Sequence, residues 1–236
     1  MLEIDNLGFR YSNDEAGEMV FDLTAKRGEI TSLIGPSGAG KTSLLNLIAG
    51  FSRAHRGRIL IDGRRIDTSP PAKRPVTMVF QSNNLFPHLD VFTNVALGIN
   101  PSLNLTRNQR EAIDRALEML GIENYRQRKP GELSGGQQQR ATLARALVRN
   151  RDIMLLDEPF AALGPAMRED LIAVVKALVL EHNHVALLVS HQPADALLAS
   201  PTTVFLSQGR VLATGPTKTL LINPLREEIA DYLGSA

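Results

Sequence analysis

Gly35-Pro36-Ser37-Gly38-Ala39-Gly40-Lys41-Thr42 is the stretch whose reading decides the fold. It has the spacing G-x-x-x-x-G-K-[ST]. Before it runs apolar Glu29–Ile34, which reads as a strand; after it runs Lys41–Ala49, which reads as a helix. The glycines let successive backbone N–H groups turn inward around anionic oxygens. The helix that follows adds the positive end of its dipole. Lys41 supplies a full positive charge to the outer phosphates, the Thr42 hydroxyl supplies oxygen for a hard cation such as Mg²⁺, and Ser43 completes the nucleotide-binding stretch. The stretch therefore predicts a strand, a phosphate-binding loop and a helix in succession.

Outward from this loop, short apolar strands alternate with helical patterns, the signature of an α/β fold with a largely parallel sheet. Strands are expected at Leu2–Phe9, 18–24, 58–62 and 76–80, with a polar turn at Ser12-Asn13-Asp14-Glu15. Residues 83–150 read differently. Thr106 is placed to cap a helix ending at Leu120, with Ile113, Leu117 and Leu120 on one face and Gly121 closing it. A second helix is expected at 136–149, and no strand is convincing, so the block reads as a helical insert. Strand 153–156, helix 166–182 and strands 185–190 and 203–206 follow.

Composition narrows the class. Of 236 residues 43% are hydrophobic, enough for a sizeable core, and the formal net charge is +1, which gives no general attraction to nucleic acid. With no cysteine, disulfides and thiolate metal sites are excluded. The start, Met1-Leu2-Glu3-Ile4-Asp5, does not read as a secretory signal, and no run approaches the roughly 18–20 apolar residues that span a bilayer. The expectation is a soluble chain, or one held at a membrane through a partner.

Two further stretches carry chemistry. Ile153-Met154-Leu155-Leu156 ends in Asp157-Glu158. A strand end beside a phosphate loop is where Mg²⁺ needs a carboxylate, and Asp157 fits that role; Glu158, next along, is placed to orient and polarise attacking water. Leu133-Ser134-Gly135-Gly136-Gln137 opens a helix with a serine and two glycines, forming a second anion-binding N-terminus. One nucleotide loop needs one such cradle, so a second suggests phosphate shared between two subunits.

Taken together, the loop at residues 35–42, Leu133-Ser134-Gly135-Gly136-Gln137 and Asp157-Glu158 resemble, in order and spacing, the ATP-binding-cassette ATPases, over the whole chain. The resemblance implies a P-loop NTPase (RecA-like) core with an antiparallel β subdomain, residues 1–82 and 151–236, and an inserted α-helical subdomain, residues 83–150. It implies ATP and Mg²⁺, and a head-to-tail dimer of two copies in which Ser134, Gly135, Gly136 and Gln137 face the γ-phosphate held by the other copy. Tyr11 matches the aromatic that stacks on adenine. Gln81 matches the glutamine that touches Mg²⁺ and water and senses a transmembrane partner, and His191 the histidine at the γ-phosphate.

One position departs from the family pattern. Where an aspartate is usual after Asp157-Glu158-Pro159-Phe160-Ala161-Ala162-Leu163, this chain has Gly164 followed by Pro165. Glycine is an acceptable N-cap and Pro165 suits the first helical position, so the helix is expected to survive while a cross-subunit carboxylate is lost.

Residues 35–51, 81–86, 97–101 and 130–133 resemble most the ATP-binding subunits of bacterial thiamine importers. That likeness implies a peripheral subunit on the cytoplasmic face of the inner membrane, bound to a permease and served indirectly by an extracytoplasmic solute-binding protein. No residue gives a chemical reason for thiamine, and an importer of an amino acid, metal or anion is the alternative. Leu85, Phe86 and Leu89 are expected to form an apolar cup for a permease helix. A soluble cassette protein of DNA repair or translation, or a small-molecule kinase, are the rivals. The first usually carries a coiled-coil insert or a second cassette, and the second has no use for the segment at Ser134.

Overall fold

Residues 1–11, 17–80, 84–161 and 163–234 are described by the computed structural model. Strands β1 (Leu2–Phe9), β2 (Met19–Ala25), β3 (Glu29–Ile34), β4 (Arg56–Ile61), β5 (Arg64–Arg65), β6 (Val76–Val79), β7 (Ile153–Asp157), β8 (Val185–Val189), β9 (Thr202–Ser207) and β10 (Arg210–Pro216) form one sheet in the order β5-β4-β1-β2-β10-β9-β3-β8-β7-β6. From β9 to β6 every pairing is parallel. β1, β2, β4 and β5 pair antiparallel, and β10 is antiparallel to β9 and meets β2 at Arg210 opposite Val20.

The helices are α1 (Lys41–Ala49), α2 (Val91–Ile99), α3 (Arg107–Met119), α4 (Gly135–Arg149), α5 (Pro165–Glu181), α6 (Pro193–Ala199), α7 (Thr217–Ile222) and α8 (Glu227–Gly234). They cover both faces of the parallel strands, so every residue of β7 and β8 is buried and those strands read as unbroken apolar runs. Alternation along β7 divides the core. Ile153 and Leu155 point toward α1 with Leu44, Leu45 and Ile48, whereas Met154 and Leu156 join the cluster of α2 to α5. Each such buried aliphatic side chain contributes about 1.5–3 kcal/mol.

Among the described residues, 84–150 hold helices and short 3-10 turns but no strand. Thr106 caps α3 in a reciprocal box, its Oγ1 accepting from the Gln109 N–H at 3.3 Å while Gln109 Oε1 accepts from the Thr106 N–H at 2.9 Å. The helix stops at Gly121, whose φ is 63°. The far end of α1 is closed by Arg74, only 5% exposed, which donates to the carbonyls of Leu47 and Ile48 at 2.7 and 2.9 Å and to those of Ser69 and Asp67. A buried guanidinium thus satisfies carbonyls that the helix end leaves over.

Several bounds differ from the sequence expectation. The second strand begins at Met19 and the fourth at Arg56, because both are set by pairing with β1 rather than by their own apolar runs. The last long helix begins at Pro165. Helix α2 and the elements β5, β10, α6, α7 and α8 were not anticipated. α2 reads Val-Phe-Thr-Asn-Val-Ala-Leu-Gly-Ile, a short run rich in β-branched residues, which favour strands. Its start signal was present: Asp90 caps it by accepting from the Thr93 N–H at 2.7 Å. The polar turn placed at Ser12-Asn13-Asp14-Glu15 lies outside the described residues.

β8 lies between β3 and β7, all three parallel. Their C-terminal ends therefore put residues 35, 157–158 and 190–191 along one rim, where open α/β sheets place ligands.

Candidate nucleotide site at the strand ends

At the end of β3 the chain turns sharply at Gly35. Its φ is 149°, and a Cβ there would lie 2.0 Å from the Leu206 carbonyl oxygen of β9, so only glycine fits. Gly40 is the N-cap of α1, with φ 96° and no side-chain cap. The first N–H groups of α1 are thus left to an anion from outside the helix.

Lys41 is 5% exposed, and its Nζ donates to the carbonyls of Gly35 at 2.6 Å and Pro36 at 2.8 Å. Burial pushes its ammonium pKa down, while nearby Glu158 and Asp157 oppose that shift. A desolvated cation held on the loop's own carbonyls is poised to exchange them for phosphate oxygens.

Asp157 closes β7 and is 6% exposed. Its carboxyl pKa is raised, first by burial; a hydrogen bond from the exposed Thr42 works in the opposite direction. A buried carboxylate beside a threonine hydroxyl is an all-oxygen donor pair. That suits Mg²⁺, which takes one or two protein oxygens and completes its shell with phosphate and water.

Glu158 follows with φ 49°, an uncommon backbone state for a side-chain-bearing residue, fixed by its N–H donating to the Val189 carbonyl at 3.0 Å. This bend brings Glu158 Oε1 to 2.6 Å from His191 Nε2, with the two side chains 14% and 49% exposed. On the next residue, the Pro159 carbonyl accepts from buried Gln139 of α4.

At the edge of the loop, the Tyr11 hydroxyl is 2.8 Å from Ser43 Oγ, and its ring meets Phe9 edge-on at 4.7 Å. The ring is 43% exposed. Tyr11 is thus fixed at its hydroxyl and along one edge, yet still presents aromatic surface.

The segment at Ser134 stands apart within the chain. Ser134 caps α4, accepting from the Gln137 N–H at 3.3 Å, while Gln137 Oε1 accepts from the Ser134 N–H at 2.9 Å. Among the described residues no hydrogen bond joins this pair to the phosphate loop. Gly136 touches the other functional stretch instead: a Cβ there would lie 3.0 Å from Leu163 Cδ2. Gly164 is the uncapped N-cap of α5 with φ −69° and ψ 162°, and Pro165 is the first helical residue.

The fold therefore gathers residues 35–43 with Tyr11, Asp157, Glu158 and His191, while the contacts described above for the segment 134–137 run to its own helix start and to Leu163. Gln81 lies outside the described residues. In the expected apolar cup, Leu85 is buried in the core with Val91 and Leu133, while Phe86 is 46% exposed and lines a groove with Phe80, Asn84, Leu97, Gly98 and Arg145. The cup is thus corrected to a groove in which Phe86, not Leu85, is the accessible side chain. Sequence reasoning did not single out Arg168, Asp195 or Gln139. They are ordinary polar residues on helices, and no local spacing marks them.

Comparison with known proteins bears on this arrangement. The profile described as "ABC transporter" matches residues 19–161. A thiamine import ATP-binding protein ThiQ of Photobacterium profundum is 45% identical over 99% of this chain and 100% of its own. The ThiQ protein of Mesorhizobium japonicum is 46% identical over 100% of this chain and 92% of its own. Among solved structures, an ATP-binding cassette dimer in a post-hydrolysis state, bound to ADP and Pi, superposes with a TM-score of 0.81 at 29% identity, covering 92% of this chain and 99% of that one. An ATP-binding cassette in its ADP conformation gives 0.86 at 25% identity, with 98% of both chains covered. With phosphate loop, paired carboxylates and histidine on one rim, and with likeness running from end to end, the chain belongs to the ABC transporter family.

Proposed function

We propose that the chain is the ATP-hydrolysing subunit of a thiamine importer, acting as two copies that enclose two ATP molecules. The observation that carries this reading is the meeting of Lys41, Thr42, Asp157, Glu158 and His191 at the ends of three adjacent parallel strands. Residues 35–43 hold the triphosphate, Lys41 moving from the carbonyls of Gly35 and Pro36 onto its outer oxygens. Tyr11 stacks on the adenine. Thr42 and Asp157, with Gln81, are the residues that would hold Mg²⁺, which when bound neutralises charge on the β- and γ-phosphates.

Glu158 takes up a proton from the attacking water, and His191, already against its carboxylate, steadies that carboxylate and faces the γ-phosphate. Ser134, Gly135, Gly136 and Gln137 have no phosphate loop of their own chain to serve. They complete the site of the second copy, where the α4 N-terminus stabilises the γ-phosphate. Loss of that phosphate removes the charge bridging the copies and lets residues 83–150, taken as a helical subdomain, move back.

No helix among the described residues is long and apolar enough to cross a membrane. In this reading the chain sits on the cytoplasmic face of the membrane. The groove at Phe86 receives a short helix of the permease, and a solute-binding protein acts from the far side. Thiamine rests on the names of relatives at 45–46% identity across nearly the whole length. The transported solute need not touch this subunit.

The test is ATP hydrolysis by the chain co-purified with its permease in lipid nanodiscs. A severalfold rise with thiamine-loaded binding protein is expected. Stimulation by an amino acid, metal or anion instead would reassign the solute but keep the motor. Failure to co-purify, with hydrolysis driven by DNA or ribosomes, would overturn the transport reading.

A further inference from the structure

Arg168 stands in the first turn of α5 and reaches three different parts of the chain. Its Nη2 donates to the Leu163 carbonyl at 3.1 Å, its Nη1 donates to Gln192 Oε1, and the same Nη1 lies 3.5 Å from Asp195 Oδ1. The Asp195 side chain, in α6, is 4% exposed, and that of Arg168 is 13% exposed. The carboxylate is held from its other side by Ser190 Oγ, which donates to Asp195 Oδ2 at 2.6 Å and itself accepts from the Gln192 N–H at 3.0 Å. Ser190 and Gln192 are the residues on either side of His191. The turn that aims His191 at Glu158 is therefore fastened at both flanks to one buried ion pair.

The other hand of Arg168 holds Leu163, and Leu163 packs on Gly136 at the start of α4. A continuous set of contacts thus runs from the Ser134–Gly136 edge through Leu163, Arg168, Asp195 and Ser190 to His191. The middle of this set is only half made. Among the described residues, buried Arg168 Nε has no hydrogen-bond partner, and buried Asp195 Oδ1 has only the 3.5 Å ion-pair contact. The Nη1 contact at 3.5 Å is thus an ion pair without a two-pronged fork, and Nη2 stays engaged on Leu163.

We infer that Arg168 is a positioning residue: it ties the Ser134–Leu163 edge, against which a second copy seats, to the turn that holds His191 on Glu158. The inference rests on the proposed reading of Glu158 and His191 as the hydrolytic pair, and extends it by naming the link between the two ATP sites. Arg168 touches no nucleotide in this scheme. Its removal therefore lowers turnover and leaves ATP binding intact.

The test is a double-mutant cycle in the full chain assembled with its permease, using Arg168→Ala, His191→Ala and the pair. Arg168→Ala is expected to lower kcat at least tenfold with KM for ATP within twofold. In the His191→Ala background it is expected to lower kcat less than twofold further, because its route to the chemistry is gone. A kcat within twofold of the parent, a loss that appears in KM, or an undiminished loss in the His191→Ala background would each overturn the inference, the last assigning Arg168 to helix packing alone. If Arg168→Ala does not fold, Arg168→Lys is read in the same cycle. It keeps a charge at Asp195 but gives up the second nitrogen that holds Leu163, and the same outcomes decide. Glu158→Gln and His191→Ala alone separate the two failures: if neither slows hydrolysis, the reading of the site falls first.

Discussion

His191 Nε2 and Glu158 Oε1 lie 2.6 Å apart although they follow two different strands, β8 and β7. The two strands are paired up to Asp157 opposite Val189, and the Glu158 N–H, at the residue with φ 49°, donates to the Val189 carbonyl. Glu158→Gln keeps the shape and the bond to the backbone but cannot accept a proton. It should slow hydrolysis by about 10²–10⁴-fold and leave ATP binding within a fewfold. Single-turnover phosphate release beside fluorescent-ATP binding checks this; a loss of less than tenfold would remove Glu158 from the role.

Asp157 links pH to both binding and stability. Burial raises its carboxyl pKa, so the folded chain holds this proton more tightly than the unfolded chain does. A raised folded pKa contributes stability at low pH that is lost as pH rises through the folded value. In the absence of nucleotide, Asp157→Asn should therefore raise Tm at pH 8 more than at pH 5. Binding of MgATP has the opposite sign, since it needs the ionised carboxylate: affinity should weaken as pH falls through the same raised value. Asp157→Asn should weaken it at every pH. Thermal melts and binding isotherms across pH 5–8 test both halves, and a parallel pH response in parent and variant would refute the assignment.

The strands that carry this chemistry were legible because they are buried on both faces. β7 and β8 read as unbroken apolar runs, and the residues that follow them fall at the sheet's rim by topology alone. The phosphate loop was legible because close approach of Gly35 to Leu206 admits glycine only. What stayed hidden depends on three-dimensional partners. α2 is a short, apolar stretch rich in β-branched residues, which favour strands. β4 takes its start from register with β1. The Arg168–Asp195 pair joins residues on separate helices, each polar in a first helical turn where polar residues are common. The contact of Tyr11 with Ser43 crosses from a strand end to α1, and only the fold brings them together.

That contact gives a separable prediction. Tyr11→Phe removes only the hydroxyl bond to Ser43, worth about 0.5–1.5 kcal/mol, and keeps the ring against Phe9. Tyr11→Ala removes the stacking surface as well, at about 1–3 kcal/mol of base stacking. KM for ATP should rise at most about tenfold in the first and further in the second, with kcat nearly constant. Equal KM values for Phe and Ala would show that the ring does not meet the adenine.

Gly164 offers a test in which stability and activity are predicted separately. Its φ of −69° and ψ of 162° suit any residue, and a Cβ there meets nothing within 4 Å, so Gly164→Asp introduces no clash. The new carboxylate accepts from an N–H in the first turn of α5 and faces the positive end of that helix. The gain over glycine is a few tenths of a kcal/mol from the cap and about 0.3–1 kcal/mol from the dipole. In a chain of this size that is a rise of roughly 1–4 °C in Tm.

The proposed two-copy arrangement adds a second consequence. Gly164 follows Leu163, which packs on Gly136 and is held by Arg168, so a carboxylate there stands beside the edge offered to the other copy. ATPase activity in the assembled complex should then increase. A higher Tm with hydrolysis unchanged or lower would mean that the carboxylate caps α5 but carries nothing between the two nucleotide sites, and the role given to the Leu163–Gly164 segment would have to be withdrawn.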